Sequence, residues 1–253
     1  MPFGILSIKV KNNADIISSI ETTPKSRPKR IAKMVLIAIG LLIVTELIAL
    51  AWLMNSVGTY KNYWINKAKN SGEITYLALG DSAAQGIGAT SPSRGYVGII
   101  ASRLAQKTGK KVRVINLSVT GAKIDDYLRD QAPKIKDINA DVVTIEIGAN
   151  DIPKFEEDKF QKEFKKVLES LPRGANISNM PVFNSRPSST NNAKQASMII
   201  KKELADYPDL NFVDLQKETS ENQSIFGFAP DLFHPNNLSY KNWANAFWQK
   251  IDT

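Results

Sequence analysis

Four short runs of apolar, mostly β-branched residues punctuate the C-terminal part of the chain, at residues 74–79, 112–117, 142–147 and 210–213. Each has the length of a strand and ends near turn or polar residues, the pattern of strands buried on both faces of a parallel sheet. A further strand is expected at residues 180–183, where Met180, Val182 and Phe183 surround Pro181. Between these runs the apolar spacing becomes helical. Val97, Ile100, Ala101 and Leu104 precede Gly109, and Phe160, Phe164, Val167, Leu168 and Leu171 precede Pro172. Near the C-terminus, Tyr240, Trp243, Ala244, Phe247, Trp248 and Ile251 recur at i, i+3, i+4, i+7, i+8 and i+11, a stripe that reads as core. Strands alternating with helices predict an α/β domain with a parallel five-stranded sheet, helices on both faces and right-handed crossovers. Residues 173–192, rich in Ser, Asn and Pro, break the alternation and are expected to form a substrate-facing loop.

A different pattern precedes the domain. Residues 34–54 are apolar over 21 positions with one charge, Glu46. At about 1.5 Å rise per residue, a helix of that length covers roughly 30 Å of hydrocarbon, so one N-terminal transmembrane helix is expected. Lys25, Arg27, Lys29, Arg30 and Lys33 crowd its N-terminal side, while Trp52, Tyr60, Tyr63 and Trp64 lie at or beyond its other end as interfacial aromatics do. That asymmetry predicts a single pass in the cell membrane, with the N-terminus cytoplasmic and the domain extracytoplasmic. The competing reading is a cleaved secretory signal, because Ala49-Leu50-Ala51 resembles a small-residue cleavage site. The length of the run and the distance of the basic cluster from Met1 favour the anchor. Glu46 lies in the outer half, where it can snorkel, and takes no assigned role. The expected plan is a basic cytoplasmic tail at 1–33, the membrane helix at 34–54, a polar stalk at 55–71 and the folded domain at 72–253.

The formal net charge of +8 changes meaning once it is located. Residues 1–33 carry seven Lys/Arg against two acids, leaving 26 basic and 23 acidic groups downstream. No basic stripe with interleaved aromatics follows, so nucleic acid is not an expected partner. There are no cysteines, which excludes disulfides, thiolate metal sites and a cysteine nucleophile. The single histidine and the absence of clustered His/Asp/Glu spacing predict no metal site, and no cofactor motif is present.

That histidine, His234, stands in Asp231-Leu232-Phe233-His234-Pro235, with an acid three residues upstream. Gly80-Asp81-Ser82 follows the first strand, Gly121 follows the second through Ser118-Val119-Thr120, and Gly148-Ala149-Asn150-Asp151 follows the third. Ligands of open α/β sheets bind beyond the carboxyl ends of the strands, and four separate segments deliver polar groups to that one edge. Core packing does not require this arrangement. Each block alone has a bland reading: a turn glycine at Gly121, a helix cap at Asn150-Asp151 before Pro153, a surface pair at Asp231 and His234.

Jointly, and in this order, the blocks resemble those of the GDSL or SGNH family of esterases and lipases, from about residue 74 to the C-terminus. The resemblance implies a three-layer α/β/α, flavodoxin-like catalytic domain and a serine esterase. Ser82 would be the nucleophile, His234 the general base and Asp231 its orienting partner. The Ser82 N–H, the Gly121 N–H and the Asn150 side-chain amide would form the oxyanion hole. Ala84 stands where a Gly-x-Ser-x-Gly elbow needs its last glycine, which argues against the α/β-hydrolase fold. The stretch Asn184-Ser185-Arg186-Pro187 matches no family block.

The residue types suit the chemistry. A serine hydroxyl is a weak nucleophile at neutral pH, so a histidine must take its proton during attack on an ester carbonyl and return it to the leaving alcohol. Asp231 would hold the tautomer, and a neutral Asn can donate where an Asp would repel the oxyanion. The expected substrate is a carboxylic ester, an acyl or acetyl group on a lipid or cell-envelope glycan, and the expected membrane contact is residues 34–54. Two other readings use the same residues: a non-catalytic envelope-binding module and an acyltransferase in which a sugar hydroxyl replaces water.

Overall fold

The computed structural model describes residues 27–183, 186–222, 224 and 226–251. Five parallel strands form one sheet: β1 (Ile74–Gly80), β2 (Val112–Asn116), β3 (Val142–Glu146), β4 (Asn176–Ser178) and β5 (Asn211–Val213), in the order β2-β1-β3-β4-β5. This is the flavodoxin-like order, whose switch point lies between β1 and β3. The register places Gly80 opposite Glu146, so the two strands that flank the switch point end level. A Cβ on Gly80 would lie 2.0 Å from the Glu146 carbonyl oxygen, which explains a glycine at the last position of β1.

Successive residues of β1 face opposite layers, as the two-residue pleat requires. Leu77 and Leu79 join a core made with α4 (Ile124–Asp130), α6 (Glu157–Ser170) and α7 (Pro187–Leu204). Tyr76 and Ala78 join the opposite core with α3 (Tyr96–Thr108) and α9 (Asn237–Trp248). There Tyr96 stacks on Phe247 with centroids 5.0 Å apart, using the stripe expected for the last helix. Three shorter helices complete the layers: α2 (Ser82–Gln85), α5 (Ala132–Ile135) and α8 (Leu215–Glu221).

Two expectations are corrected. No strand forms at 180–183; the fourth strand is β4, a few residues earlier. Pro181 has no N–H to give a ladder, and the apolar character of Met180 and Phe183 reflects burial after the strand ends. Residues 173–192 are likewise not one irregular loop, since they contain β4 and the first turns of α7. Pro187 sits in the first turn of α7, where its missing N–H costs nothing, and Ala193, Ala196, Ile200 and Leu204 are buried along one face. The Ser/Thr/Asn composition of the first turn disguised this helix. Asn184 and Ser185 lie outside the described residues.

The N-terminal segment is described in two parts. Residues 30–68 lie in a helix, α1 (Arg27–Ala68), long and apolar enough to cross a membrane. The basic tail up to residue 26, Lys25 included, lies outside the described residues. Residues 48–68 belong to the same compact unit as the domain. The polar stalk expected after residue 54 is therefore helical up to Ala68, and Tyr60 and Trp64 are buried rather than interfacial. Tyr60 Oη donates to the Ala89 carbonyl at 2.6 Å, and Trp64 Nε1 donates to the Gln85 carbonyl at 3.0 Å. Trp52 remains exposed.

Candidate active site

Ser82 opens α2 immediately after β1. Asp81 caps that helix, its Oδ1 accepting from the Ala83 N–H at 2.9 Å, and Gly86 closes it with a left-handed φ of 84°. The single turn thus reverses the chain sharply and leaves Ser82 at the carboxyl end of the sheet, 5% exposed. His234 arrives from the opposite end of the sequence. The segment before α9 folds back through an isolated bridge between Phe228 and Pro235, and the Ala229 N–H donates to the His234 carbonyl at 2.8 Å. At its tip Leu232 takes a φ of 54°. Gly88 permits the close approach of this segment, since a Cβ there would lie 2.4 Å from the Pro235 carbonyl oxygen and 2.8 Å from the His234 Cβ.

The structure brings three of the expected residues into line. His234 Nε2 lies 2.9 Å from Ser82 Oγ, and His234 Nδ1 lies 2.5 Å from Asp231 Oδ2. The other oxygen, Asp231 Oδ1, accepts the N–H groups of Phe233 and His234 at 3.1 and 3.0 Å. Burial alone would raise the Asp231 pKa, but the bond from His234, its charge and these two N–H groups outweigh burial and hold it below the ordinary value. A carboxylate at Nδ1 favours the tautomer in which Nδ1 donates to Asp231 and Nε2 presents a lone pair to the serine.

Asn150 meets the serine turn through Asp81, not through Ser82. Its Nδ2 donates to Asp81 Oδ2 at 2.9 Å and to the Ala122 carbonyl at 3.0 Å, so both amide hydrogens are engaged. To donate to a bound oxyanion, one of these bonds must be shared or released. Gly121 has a φ of 80° and open space around it, and its N–H makes no hydrogen bond among the described residues. Gln85 fixes the Gly121 loop to α2: its Nε2 donates to the Ser118 carbonyl at 2.9 Å, and its Oε1 accepts from Thr120 Oγ1 at 2.5 Å. Asp151 is not a simple helix cap, because its Oδ2 accepts the Ile124 N–H at the start of α4. Burial raises the Asp151 pKa to about 6, with that N–H opposing.

Beneath Ser82 lies a carboxyl group that the sequence pattern hid. Glu146, the last residue of β3, is fully buried beside the Asp81 carboxyl, and no N–H donor reaches either of its oxygens among the described residues. Burial, then repulsion from Asp81, pushes its pKa well above the ordinary range. Burial also raises the Asp81 pKa, to about 6, with the Ala83 N–H bond, a hydrogen bond with Glu146 and the His234 charge opposing. Two neighbouring buried carboxyls do not both ionise. Asp81 has N–H donors to stabilise a charge and Glu146 has none, so Glu146 holds the proton. The available signal was a lone acid inside an otherwise apolar run of strand residues.

One wall of Ser82 opens into a cavity of about 540 Å³. Its lining includes Val182, Phe183, Phe228, Leu232, Phe233 and Trp243, together with Ser82, His234 and Glu146, while Gly121 and Asn150 do not line it. Phe233 packs edge-on against His234, and the Arg186 guanidinium lies 3.8 Å above the Phe233 ring. Sequence reasoning named none of these aromatics as site residues: Phe183, Phe228 and Phe233 come from loops whose convergence no periodicity records, and Trp243 in α9 read as core. Among the described residues no group of three or more His, Asp or Glu could hold a metal ion.

A parallel sheet of this order, with polar loops gathered at its switch point, is the architecture of the SGNH hydrolases. The chain belongs to the GDSL-like Lipase/Acylhydrolase family, whose model matches residues 78–241, and it is an ester-hydrolysing enzyme. A relative, YpmR of Bacillus subtilis (strain 168), itself uncharacterized, is 26% identical over 220 residues, covering 74% of this chain and 84% of YpmR. Among solved structures, a variant of Axe2, an acetyl-xylooligosaccharide esterase from Geobacillus stearothermophilus, superposes with a TM-score of 0.60 at 20% identity, covering 73% of this chain and 97% of Axe2. A lipase from a goat rumen metagenome gives a TM-score of 0.57 at 20% identity, covering 70% and 97% of the two chains. At these identities the likeness is one of fold.

Proposed function

We propose that the chain is a membrane-tethered serine esterase in which Ser82 attacks the ester carbonyl, His234 accepts its proton and Asp231 holds the imidazole. The observation that carries this reading is the unbroken line of polar contacts from Ser82 Oγ through His234 to Asp231 Oδ2. As Oγ bonds to the carbonyl carbon, its proton passes to Nε2, and the tetrahedral intermediate collapses by returning that proton to the leaving alcohol. Water then attacks the acyl-enzyme by the same route in reverse. The N–H groups of Ser82 and Gly121 are free to receive the oxyanion, and Asn150 joins them by loosening its bond to Asp81 or to Ala122.

The apolar cavity beside Ser82 supports an acyl chain of several carbons as the acid half of the ester. Sites of this size and lining characteristically enclose small apolar ligands. The basic cluster before the apolar run supports a cytoplasmic N-terminus and an extracytoplasmic domain, so the substrate belongs to the outer face of the membrane or the envelope. A fluorophosphonate probe tests the nucleophile: it is expected to label the full chain at Ser82 and not to label Ser82→Ala. Labelling that persists in Ser82→Ala, or p-nitrophenyl butyrate hydrolysis equal to the parent, would overturn the assignment.

A further inference from the structure

Outside α1, the described residues expose five large apolar side chains, and three of them, Phe226, Leu232 and Leu238, fall within the thirteen residues around His234. Exposed apolar residues scattered singly need no explanation, but a cluster beside a functional site does. Phe226 is 77% exposed and Leu238 is 50% exposed. The Asn236 side chain links the two: its Nδ2 donates to the Phe226 carbonyl at 2.6 Å and its Oδ1 accepts the Leu238 N–H at 2.9 Å. Leu232 is the tip residue with positive φ, and it also borders the cavity.

The same segment touches the helix that carries the apolar run. Leu53 and Tyr60 bury themselves with Ile87 and Ala229. Leu53 is one residue inside the end of the run at 34–54. Phe226 and Leu232 each lie three residues from Ala229, within about 11 Å of chain at 3.8 Å per Cα step. Phe226 and Leu232 therefore lie within a short reach of the end of the apolar run. Trp52 and Met54, the helix neighbours of Leu53, are exposed at 41% and 77%.

We propose that Phe226, Leu232 and Leu238 form a membrane-docking surface that seats the mouth of the Ser82–His234 site on the lipid leaflet from which the apolar run emerges. The surface rests on reading residues 34–54 as a membrane helix. Its consequence, that the ester is drawn from the bilayer rather than from solution, rests also on the esterase reading. The occupant is lipid because the segment that carries the rim packs, through Ala229, on Leu53 at the end of the apolar run, where Trp52 and Met54 are exposed. Burying aromatic and aliphatic side chains at the headgroup boundary is the chemistry by which interfacial segments bind.

The chain has no cysteine, so single labels are straightforward. The full-length protein is reconstituted in vesicles of phosphatidylcholine and phosphatidylglycerol, with a nitroxide at Phe226→Cys, Leu238→Cys or, as a control, Met198→Cys on α7. Collisions with oxygen are expected to exceed those with a water-soluble nickel complex at 226 and 238, and the reverse is expected at 198. An aqueous profile at 226 and 238 overturns the proposal. So does spin–spin broadening between labels that vanishes on dilution with unlabelled chain, which identifies a second copy as the occupant. This measurement needs no activity, so failure of the esterase reading leaves it intact. In the same vesicles, Phe226→Ser/Leu238→Ser is expected to hydrolyse a bilayer-embedded ester lipid at least tenfold more slowly, with an unchanged rate on p-nitrophenyl butyrate. An equal loss on both substrates would overturn docking as the cause.

Discussion

Tyr60 reaches from the helix that follows the apolar run and donates its hydroxyl to the carbonyl of Ala89, a few residues beyond the serine turn. With Trp64 bonded to the Gln85 carbonyl, it makes residues 48–68 part of the catalytic unit and not a spacer. Trp64→Ala is expected to destabilise the domain by about 3–5 kcal/mol, the usual cost of emptying a buried aromatic site. Thermal melting checks this. A fragment starting near residue 70 should melt far below one starting near residue 48, and equal melting would show that the helix is only a tether.

Replacing His234 with Ala is expected to abolish ester hydrolysis while leaving the melting temperature near that of the parent, since the chain offers no second imidazole. Asp231→Asn should retain the geometry yet lose about a thousandfold or more in kcat, because an amide no longer fixes the productive tautomer. Because the Asp231 pKa is depressed in the fold, its stabilising contribution is present above the ordinary carboxylate range and is lost as pH falls through the depressed value. As pH is lowered below the ordinary Asp value of about 3.9, melting temperatures should therefore fall more steeply for the parent than for Asp231→Asn.

Glu146 has the opposite sign. Its pKa is raised, so the fold holds a proton that the unfolded chain releases, and the associated stability is complete at low pH and declines as pH rises towards the raised value. Glu146→Gln keeps the shape without the titration. It is expected to retain activity and to gain in melting temperature relative to the parent as pH is raised from about 4.5, just above the ordinary Glu pKa, towards 8. A constant difference across that range would mean that Glu146 does not carry the proton.

The cavity beside Ser82 predicts a dependence on acyl length. Each methylene buried contributes about 0.8 kcal/mol, so kcat/KM on p-nitrophenyl esters should rise by up to about fourfold per carbon from acetate until the cavity is full. Trp243→Ala should extend the chain length at which the rise stops. A flat series from acetate to octanoate would place the acyl chain outside this cavity.

Four of the five strands and three of the main helices were legible in the sequence, because a pleat of period two and a helix of period 3.6 write themselves into local apolar spacing. The β1, β2 and β3 runs match the observed strands to within a residue at either end. Where local signals conflicted, the expectation failed: Pro181 sat in an apolar run that is buried but unpaired, and a Ser- and Asn-rich first turn concealed α7.

The candidate site divides in the same way. Ser82, Gly121, Asn150, Asp231 and His234 stood out because each follows a recognisable strand or precedes a recognisable helix, and short motifs survive in a linear text. The partners of these residues did not stand out. Asn150 donating to Asp81, the proton on Glu146, the aromatic wall from Phe183 to Trp243 and the helix residues under Ala89 are contacts between segments far apart in the chain. Such contacts depend on burial and on which loops converge, and burial is a property of the packed whole that no run of neighbouring residues encodes.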